Sequence, residues 1–384
     1  MSTSRLLASR LGAIACLGAL VFLGIGCDSG STCSPPECPS SDGDWVVDGV
    51  NLQALFAPPT GAEIDTARAR WSVPSPGVVL HREAIIDLGD RETVQVFAAF
   101  EPGGSDTLFV GAVRQPPRLP GDTRTRPAFV FLGDGPDADV GALAASLPLA
   151  PRLRGDFATI HLAYRGGTLT VGGRRFRSTV EANPYDADAD DLLDFLDSVQ
   201  AYPDQVETDF GCYVAAGHGR GGGVVLLGNE RAKARNAPAP SLVISLGAPT
   251  DFFLDSVQEA GRRYLRGLDP GPVPGIRGVF DQTVKPVRAG TLTPAEARLD
   301  LLARSPAYFA APPPFIVAAH GERDSVVPIA HGRSLGGLFG DPEAVFFDLA
   351  EAGHASVLVD SEPQNVIRTV IESRVLGDAS LCRS

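Results

Sequence analysis

The sequence has no stretch rich in lysine or arginine, and its charge balance is acidic. It contains 33 Lys and Arg residues against 46 Asp and Glu residues, which gives a formal net charge of −13. Proteins that bind nucleic acid usually present a basic patch to the phosphate backbone. The composition therefore argues against a nucleic-acid partner. Nucleotide, flavin and metal motifs are also missing from the sequence, so we expect neither a cofactor nor a metal.

Hydrophobic runs long enough for a comfortable membrane span are missing as well. Arg5 and Arg10 precede an apolar run over residues 11–26, which is short for a spanning helix. The pattern predicts a targeting segment over residues 1–26. The small residues before Cys27 resemble a bacterial lipobox, so we expect lipidation of Cys27 and anchoring to a bacterial envelope membrane, on its periplasmic or outer side. The alternatives are an ordinary exported protein and an uncleaved anchor.

Cysteine is scarce, with six residues in the chain. Cys33 and Cys38 lie in residues 27–44, a segment rich in Pro, Ser and Gly that cannot bury a core and is therefore predicted to be a linker. In an exported chain their close spacing favours a small-loop disulfide over a metal site, because no histidine is near. Cys212 is expected to be a buried thiol.

Residues 45–384 are predicted to form one α/β domain. Residues 45–126 contain several β-branched runs typical of strands, which predict an antiparallel lead-in. Apolar runs at residues 127–132 and 157–163 then begin a series in which strands alternate with helices. This alternation predicts a mostly parallel central sheet with helices on both faces.

Residues 186–203 combine acidic side chains with apolar residues at helical spacing. They predict a helix whose acidic residues face water and whose N-terminal end is acidic. The aspartates at 186, 188, 190 and 191 do not have the spacing of a compact calcium loop, because the glycine and the closing glutamate are missing.

Residues 209–227 carry the strongest local pattern, two apolar runs joined by Gly217, His218, Gly219, Arg220, Gly221 and Gly222. This layout predicts a buried strand, a sharp turn and a helix. It has the form of a nucleophile elbow, G-x-S-x-G, which presents a serine hydroxyl at the edge of a sheet. Gly219 stands at the serine position, and glycine carries no nucleophile. Taken alone, the glycine cluster is equally compatible with a loop or a phosphate cradle.

Two downstream stretches favour the elbow over those alternatives. Asp324 follows an apolar run at residues 315–319, and His354 follows another at residues 345–349. The order nucleophile position, acid, histidine is the chain order of α/β-hydrolase triads.

The sequence therefore resembles the α/β-hydrolase superfamily over residues 110–378, and most closely its prolyl oligopeptidase and dienelactone hydrolase branch. His320-Gly321, Asp324 and Val327-Pro328 match the H-G-x-x-D-x-x-V-P turn of that branch, and Gly353-His354 matches its G-H loop. The resemblance implies an α/β-hydrolase fold and an esterase or peptidase site in which Asp324 orients His354. It also implies a small ester or peptide as ligand.

The same resemblance identifies an oxyanion region, formed by Gly133, Asp134 and Arg220. In the family, the first strand of the parallel core is commonly followed by His-Gly, where backbone N–H groups help to build the oxyanion hole. This chain has Gly133-Asp134 there instead. A carboxylate of Asp134 inside the site would oppose a developing oxyanion. Alternatively, Asp134 is a turn residue that points away.

Three functions are compatible with a site that lacks its nucleophile. Without a hydroxyl no acyl-enzyme can form, so the first is a pseudoenzyme that binds a ligand or partner. The second is an unconventional hydrolase, in which the pair of His354 and Asp324 activates water directly. The third is a structural envelope protein whose old site is filled.

Overall fold

The computed structural model describes residues 45–73, 76–89, 92–117, 125–146, 155–202, 208–312, 314–338 and 340–377. The predicted targeting segment and linker, with Cys27, Cys33 and Cys38, lie outside these residues, as do Cys382 and the side chain of Cys212. Among the helices of the described ranges, none is both long enough and apolar enough to cross a bilayer.

The described residues form fourteen strands, β1 to β14 in chain order: Val46–Val47, Val50–Asn51, Val79–Gly89, Glu92–Phe100, Thr107–Gln115, Arg126–Leu132, Ala138–Asp139, Ala158–Ala163, Thr168–Val171, Arg174–Arg177, Thr208–His218, Leu242–Leu246, Phe315–Gly321 and Ala344–Leu349.

The α-helices of the described ranges, α1 to α11, are Leu52–Leu55, Gly61–Trp71, Val140–Ser146, Asp186–Gln200, Arg220–Arg235, Asp255–Leu265, Ile276–Gln282, Val284–Ala289, Pro294–Ala303, Ala330–Arg333 and Ser361–Val370. Short 3-10 turns occupy Pro306–Tyr308, Ser334–Leu338 and Ser356–Leu358, and a π-helical turn, Ile371–Val375, continues α11.

Nine of these strands form the central sheet, in the order β14-β13-β12-β11-β6-β8-β5-β4-β3. Every pairing from β14 through to β8 is parallel, whereas β5, β4 and β3 add to the sheet in antiparallel pairings. The predicted parallel core with an N-terminal antiparallel lead-in is confirmed. Two elements were not predicted from the sequence. One is the helix α2 in the lead-in, and the other is the hairpin of β9 and β10 after β8.

Helices cover both faces of the sheet, which explains the continuous apolar runs of its parallel strands. On β12, Val243 belongs to the core cluster that includes α4 and α5, while Leu242 and Ile244 belong to the cluster that includes α11. Because successive strand residues point to opposite faces, one strand contributes to both cores. The prediction of helices on both faces is confirmed.

The sheet places the predicted site residues along one edge. Gly133 and Asp134 follow β6, Gly219 follows β11, Asp324 follows β13 by a short turn, and His354 follows β14. These four strands belong, with β12 between β11 and β13, to the parallel part of the sheet, so their carboxyl ends lie on the same edge. Ligand sites of open α/β sheets form at this edge.

A helix forms over Asp186–Gln200, as predicted, but the expectation that its acidic residues face water is wrong for two of them. Asp188 and Asp191 are buried, with 2% and 3% of their surfaces exposed. Asp188 accepts two hydrogen bonds of 2.8 Å from the guanidinium of Arg220, and Asp191 is paired in the same bidentate way with Arg165. Buried carboxylates need such partners. The arginines lie on other elements, so the periodicity of the helix could not reveal them.

We expect the Asp188→Ala variant to be strongly destabilised, because it leaves the Arg220 guanidinium charged and buried without its partner. Losing one member of a buried pair costs about 3–5 kcal/mol. Asp65→Ala is the matched control on α2: its pair with Arg68, at 3.8 Å, is exposed to solvent. An exposed pair contributes about 0–1 kcal/mol. Urea unfolding of both variants checks this, and equal losses of unfolding free energy would contradict it.

Candidate functional site

The turn between β11 and α5 has the geometry of a nucleophile elbow. Gly219 adopts φ 53° and ψ −121°, and its N–H donates to the carbonyl of Leu246 at 2.9 Å. A Cβ on Gly217 would lie 2.5 Å from the backbone nitrogen of Gly222, and a Cβ on Gly221 would lie 2.5 Å from the carbonyl carbon of Leu132. The glycines on both sides of the turn are therefore required by the close approach of strand, helix and neighbouring strand.

The carboxylate of Asp134 occupies the space in which a side chain of residue 219 would lie. A Cβ built on Gly219 would overlap Oδ1 of Asp134 and would come within 3.2 Å of Nε2 of His354. Oδ1 of Asp134 accepts the backbone N–H of Arg220 at 3.1 Å. That N–H follows the nucleophile position, where the α/β-hydrolase elbow supplies an oxyanion donor. Asp134 therefore points into the elbow and not away from it as a turn residue.

Asp324 and His354 come together across the ends of β13 and β14. Nδ1 of His354 lies 2.7 Å from Oδ2 of Asp324, the hydrogen bond expected from the sequence. The backbone N–H groups of Val326 and Val327 each donate to Oδ1 of Asp324 at 2.8 Å. The carboxylate thus has a fixed orientation, which in turn fixes the tautomer and the plane of the imidazole.

His354 is hydrogen-bonded by carboxylates on both of its ring nitrogens. Its Nε2 lies 3.3 Å from Oδ2 of Asp134, opposite the bond to Asp324. Burial alone would lower the pKa of His354, but the hydrogen bonds and charges of the two carboxylates raise it to about 9. A histidine with this pKa is an imidazolium at neutral pH and cannot accept a proton there.

The pKa values of both carboxylates shift in the direction that this ion pairing requires. Burial disfavours the charged form of Asp134, yet the hydrogen bond and charge of His354 leave the pKa of Asp134 below its usual value. The pKa of Asp324 is likewise lowered against the effect of burial, by His354 and by the two backbone N–H donors. Both groups are therefore charged at neutral pH.

His218 contacts the loop that carries His354. Its Nε2 lies 2.9 Å from the carbonyl oxygen of His354, and the two rings are 4.4 Å apart between centroids. Burial, together with the charge of His354, lowers the pKa of His218. The sequence placed His218 in the elbow but did not indicate this contact, since His354 is far away in the chain.

Neither of the two other residues of the predicted oxyanion region, Gly133 and Arg220, directs a side chain into the elbow. The carbonyl of Gly133 accepts the N–H of Gly221 at 3.1 Å and the hydroxyl of Tyr164 at 3.0 Å, so it is not turned toward the elbow as a free acceptor. The guanidinium of Arg220 points into the fold, pairs with Asp188 and lies 4.1 Å from the centroid of the Tyr164 ring. Sequence reasoning missed Tyr164 and Asp188, because their role depends on contacts across the sheet.

Asp134, His218 and His354 also form the group of metal-capable side chains in the described part of the chain. One possible ligand atom from each lies within 4.8 Å of the other two. The sequence predicted no metal, since these residues come from three separate segments of the chain and match no ligand spacing.

The protonation of His354 should be visible in an NMR pH titration of the metal-free protein. The folded pKa, about 9, lies above the usual 6.5, so the proton stabilises the folded state. This contribution is fully present below about pH 6.5 and is lost as the pH rises through 9. We expect one imidazole to titrate near pH 9, and its pKa to fall in Asp134→Asn. A His354 signal that titrates below pH 7 in wild type would contradict the ion pairing.

Comparisons with known proteins return similar solved structures but no sequence match. No protein-family model matches the chain, and no curated protein matches it in sequence. Among solved structures, an acetyl xylan esterase from a Paenibacillus species is 15% identical with a TM-score of 0.49, and the match covers 84% of this chain and 98% of that one. Acetyl xylan esterase 1 from a Thermoanaerobacterium species is 15% identical with a TM-score of 0.48, covering 79% and 93%.

A third similar structure is brefeldin A esterase, described as a bacterial homologue of human hormone sensitive lipase. It is 14% identical with a TM-score of 0.45, and the match covers 88% of each chain. The chain has the α/β-hydrolase fold that its motifs predicted, with a mostly parallel sheet, an antiparallel lead-in and helices on both faces.

Proposed function

We propose that this chain is a pseudoenzyme of the α/β-hydrolase fold, which binds a ligand or partner and does not form an acyl-enzyme. The observation that carries the proposal is the pairing of two features at the elbow. Gly219 has no hydroxyl, and the Asp134 carboxylate takes both the space of the missing side chain and the N–H of Arg220. A negative charge on that donor disfavours the oxyanion of a tetrahedral intermediate.

The unconventional hydrolase is less well supported. Direct activation of water requires a neutral His354 with a water molecule at Nε2. Oδ2 of Asp134 lies at that nitrogen instead, 3.3 Å away, and the pKa of about 9 keeps the imidazole protonated at neutral pH. Asp134 contributes to both obstacles, and Asp324 adds to the second by raising the pKa of His354 further.

A purely structural role is also less well supported than binding. In a site filled for packing, an apolar side chain that is sealed from solvent would be expected. The group beside Gly219 is a carboxylate, and 34% of the surface of the Asp134 side chain is exposed. A charged and accessible group suits recognition of a ligand that reaches the elbow from solvent.

The proposal includes export and a lipid anchor, carried by the sequence pattern before Cys27. We expect the mature chain to begin at Cys27 with lipid on its thiol and to partition with membranes. Mass spectrometry of the mature N-terminus and membrane fractionation check this. The Cys27→Ser variant is the control and should lose both the lipid mass and the membrane association. An unmodified N-terminus beyond Cys27 would overturn the lipid anchor.

Restoring a nucleophile should require two substitutions. In Gly219→Ser alone, the new Cβ overlaps Asp134, and the positive φ adds strain of roughly 1–3 kcal/mol. We therefore expect neither labelling by a fluorophosphonate nor turnover of p-nitrophenyl acetate, as in wild type. In Gly219→Ser/Asp134→Gly, the clash is removed and the Arg220 N–H is free. One oxyanion donor of this kind contributes about 10²–10³ in rate. We expect weak but measurable labelling and turnover.

The matched control for the double variant is Gly219→Ala/Asp134→Gly, which has the same backbone strain and the same open space but no hydroxyl. Labelling should appear only in the serine form. Labelling of wild type at another serine would overturn the pseudoenzyme. A folded double variant that does not label would show that loss of the hydroxyl and the charge of Asp134 do not account for inactivity.

A further inference from the structure

We propose that Asp134, His218 and His354 form a binding site for a divalent transition-metal ion, with Zn²⁺ as the ion that fits best. One carboxylate oxygen and two imidazole nitrogens come within 4.8 Å of one another at the elbow. Two histidines and one carboxylate are a common protein ligand set for zinc with an open position. The proposal names the ligand of the binding site described above and so rests on that proposed function.

His354 has the orientation of a metal ligand, and binding of the ion at Nε2 would displace the proton that this nitrogen carries in the metal-free protein. Its Nδ1 lies 2.7 Å from Oδ2 of Asp324, which assigns the Nδ1 proton to that bond and directs Nε2 toward Asp134. Histidines that bind metals usually donate their other ring N–H to a carboxylate in this way. Asp324 is the positioning residue of the site, because the N–H groups of its own turn hold its other oxygen.

The separation of His354 and Asp134 fits an ion between them. Nε2 and Oδ2 are 3.3 Å apart. Zinc bonds to nitrogen and oxygen of about 2.0–2.1 Å, at tetrahedral angles, separate two ligand atoms by about 3.3–3.4 Å. The pair is thus spaced as two corners of a zinc tetrahedron.

His218 supplies the third ligand. Its Nε2 lies 2.9 Å from the carbonyl oxygen of His354, so this nitrogen carries the proton and Nδ1 keeps its lone pair. Neutral imidazole is the form that binds metal. One ring nitrogen of His218 lies within 4.8 Å of a ligand atom of each of the other two residues, so the ring is close enough to take part in the set.

The charge and the open space at the elbow also suit a cation. Asp134 and Asp324 bring two negative charges to the site, which match the two positive charges of the ion when both histidines are neutral. A side chain at position 219 would begin 3.2 Å from Nε2 of His354 and would overlap Oδ1 of Asp134. Glycine leaves both groups accessible to an ion, and the partly exposed Asp134 leaves a fourth position open to water or to a ligand.

Isothermal titration of the full chain with Zn²⁺ tests the site. Thiols are first alkylated, because free cysteines bind zinc, and the protein is stripped with EDTA. We expect one equivalent of Zn²⁺ to bind with micromolar or tighter affinity. His218→Ala and Asp134→Ala should each weaken binding at least about tenfold, and Asp324→Asn should weaken it about 10–100-fold through the orientation of His354. Co²⁺ should give the visible spectrum of a four-coordinate site.

His81→Ala is the matched control, because His81 lies exposed on β3, away from the elbow, and should leave binding unchanged. Circular dichroism confirms that each variant is folded, and His218→Gln replaces His218→Ala if the alanine variant does not fold. Absence of zinc binding to folded wild type, or full binding in His218→Ala/Asp134→Ala, overturns the metal site. Fluorophosphonate labelling of wild type would overturn only the pseudoenzyme.

Discussion

The row of hydrogen bonds from Asp324 through His354 to Asp134 connects the ends of three strands of the parallel sheet. Each bond depends on the one before it. Backbone donors fix Asp324, Asp324 fixes the ring, and the ring faces the carboxylate of Asp134. Because one imidazole is held between two carboxylates, its proton is retained and the site is organised around opposite charges. The chemistry available at the elbow follows from this arrangement.

A buried group of polar and charged side chains next to the elbow holds the elbow in place. The backbone of Arg220 donates to Asp134, while its guanidinium is buried against Asp188 and the ring of Tyr164. Tyr164 in turn donates to the carbonyl of Gly133, the residue before Asp134. The loop that carries Asp134 and the helix that follows Gly219 are therefore tied to each other through buried polar contacts. Such fully satisfied networks rigidify their surroundings.

The elements that sequence could predict are those with local patterns. The buried strands, the elbow glycines and the turn before Asp324 depend on residues close together in the chain, and the structure has each of them. Contacts between distant segments could not be predicted in this way. The burial of Asp188 depends on Arg220, a residue of another helix, and the direction of Asp134 depends on the empty space above Gly219. Because this contact is not visible in the sequence, the sequence could not decide whether Asp134 points into the site or away from it.

The overlap between Asp134 and any side chain at position 219 also limits how the sequence can change. A chain that gains serine at 219 while keeping Asp134 gains a clash, and a chain that loses Asp134 while keeping Gly219 gains no nucleophile. Neither substitution alone restores a serine triad, and Gly219→Ser also lowers the stability of the fold. The effects of substitutions at 219 and 134, two residues that lie 85 positions apart in the printed sequence, are therefore coupled. While the Asp134 carboxylate is present, no single substitution at position 219 gives the chain a working serine nucleophile.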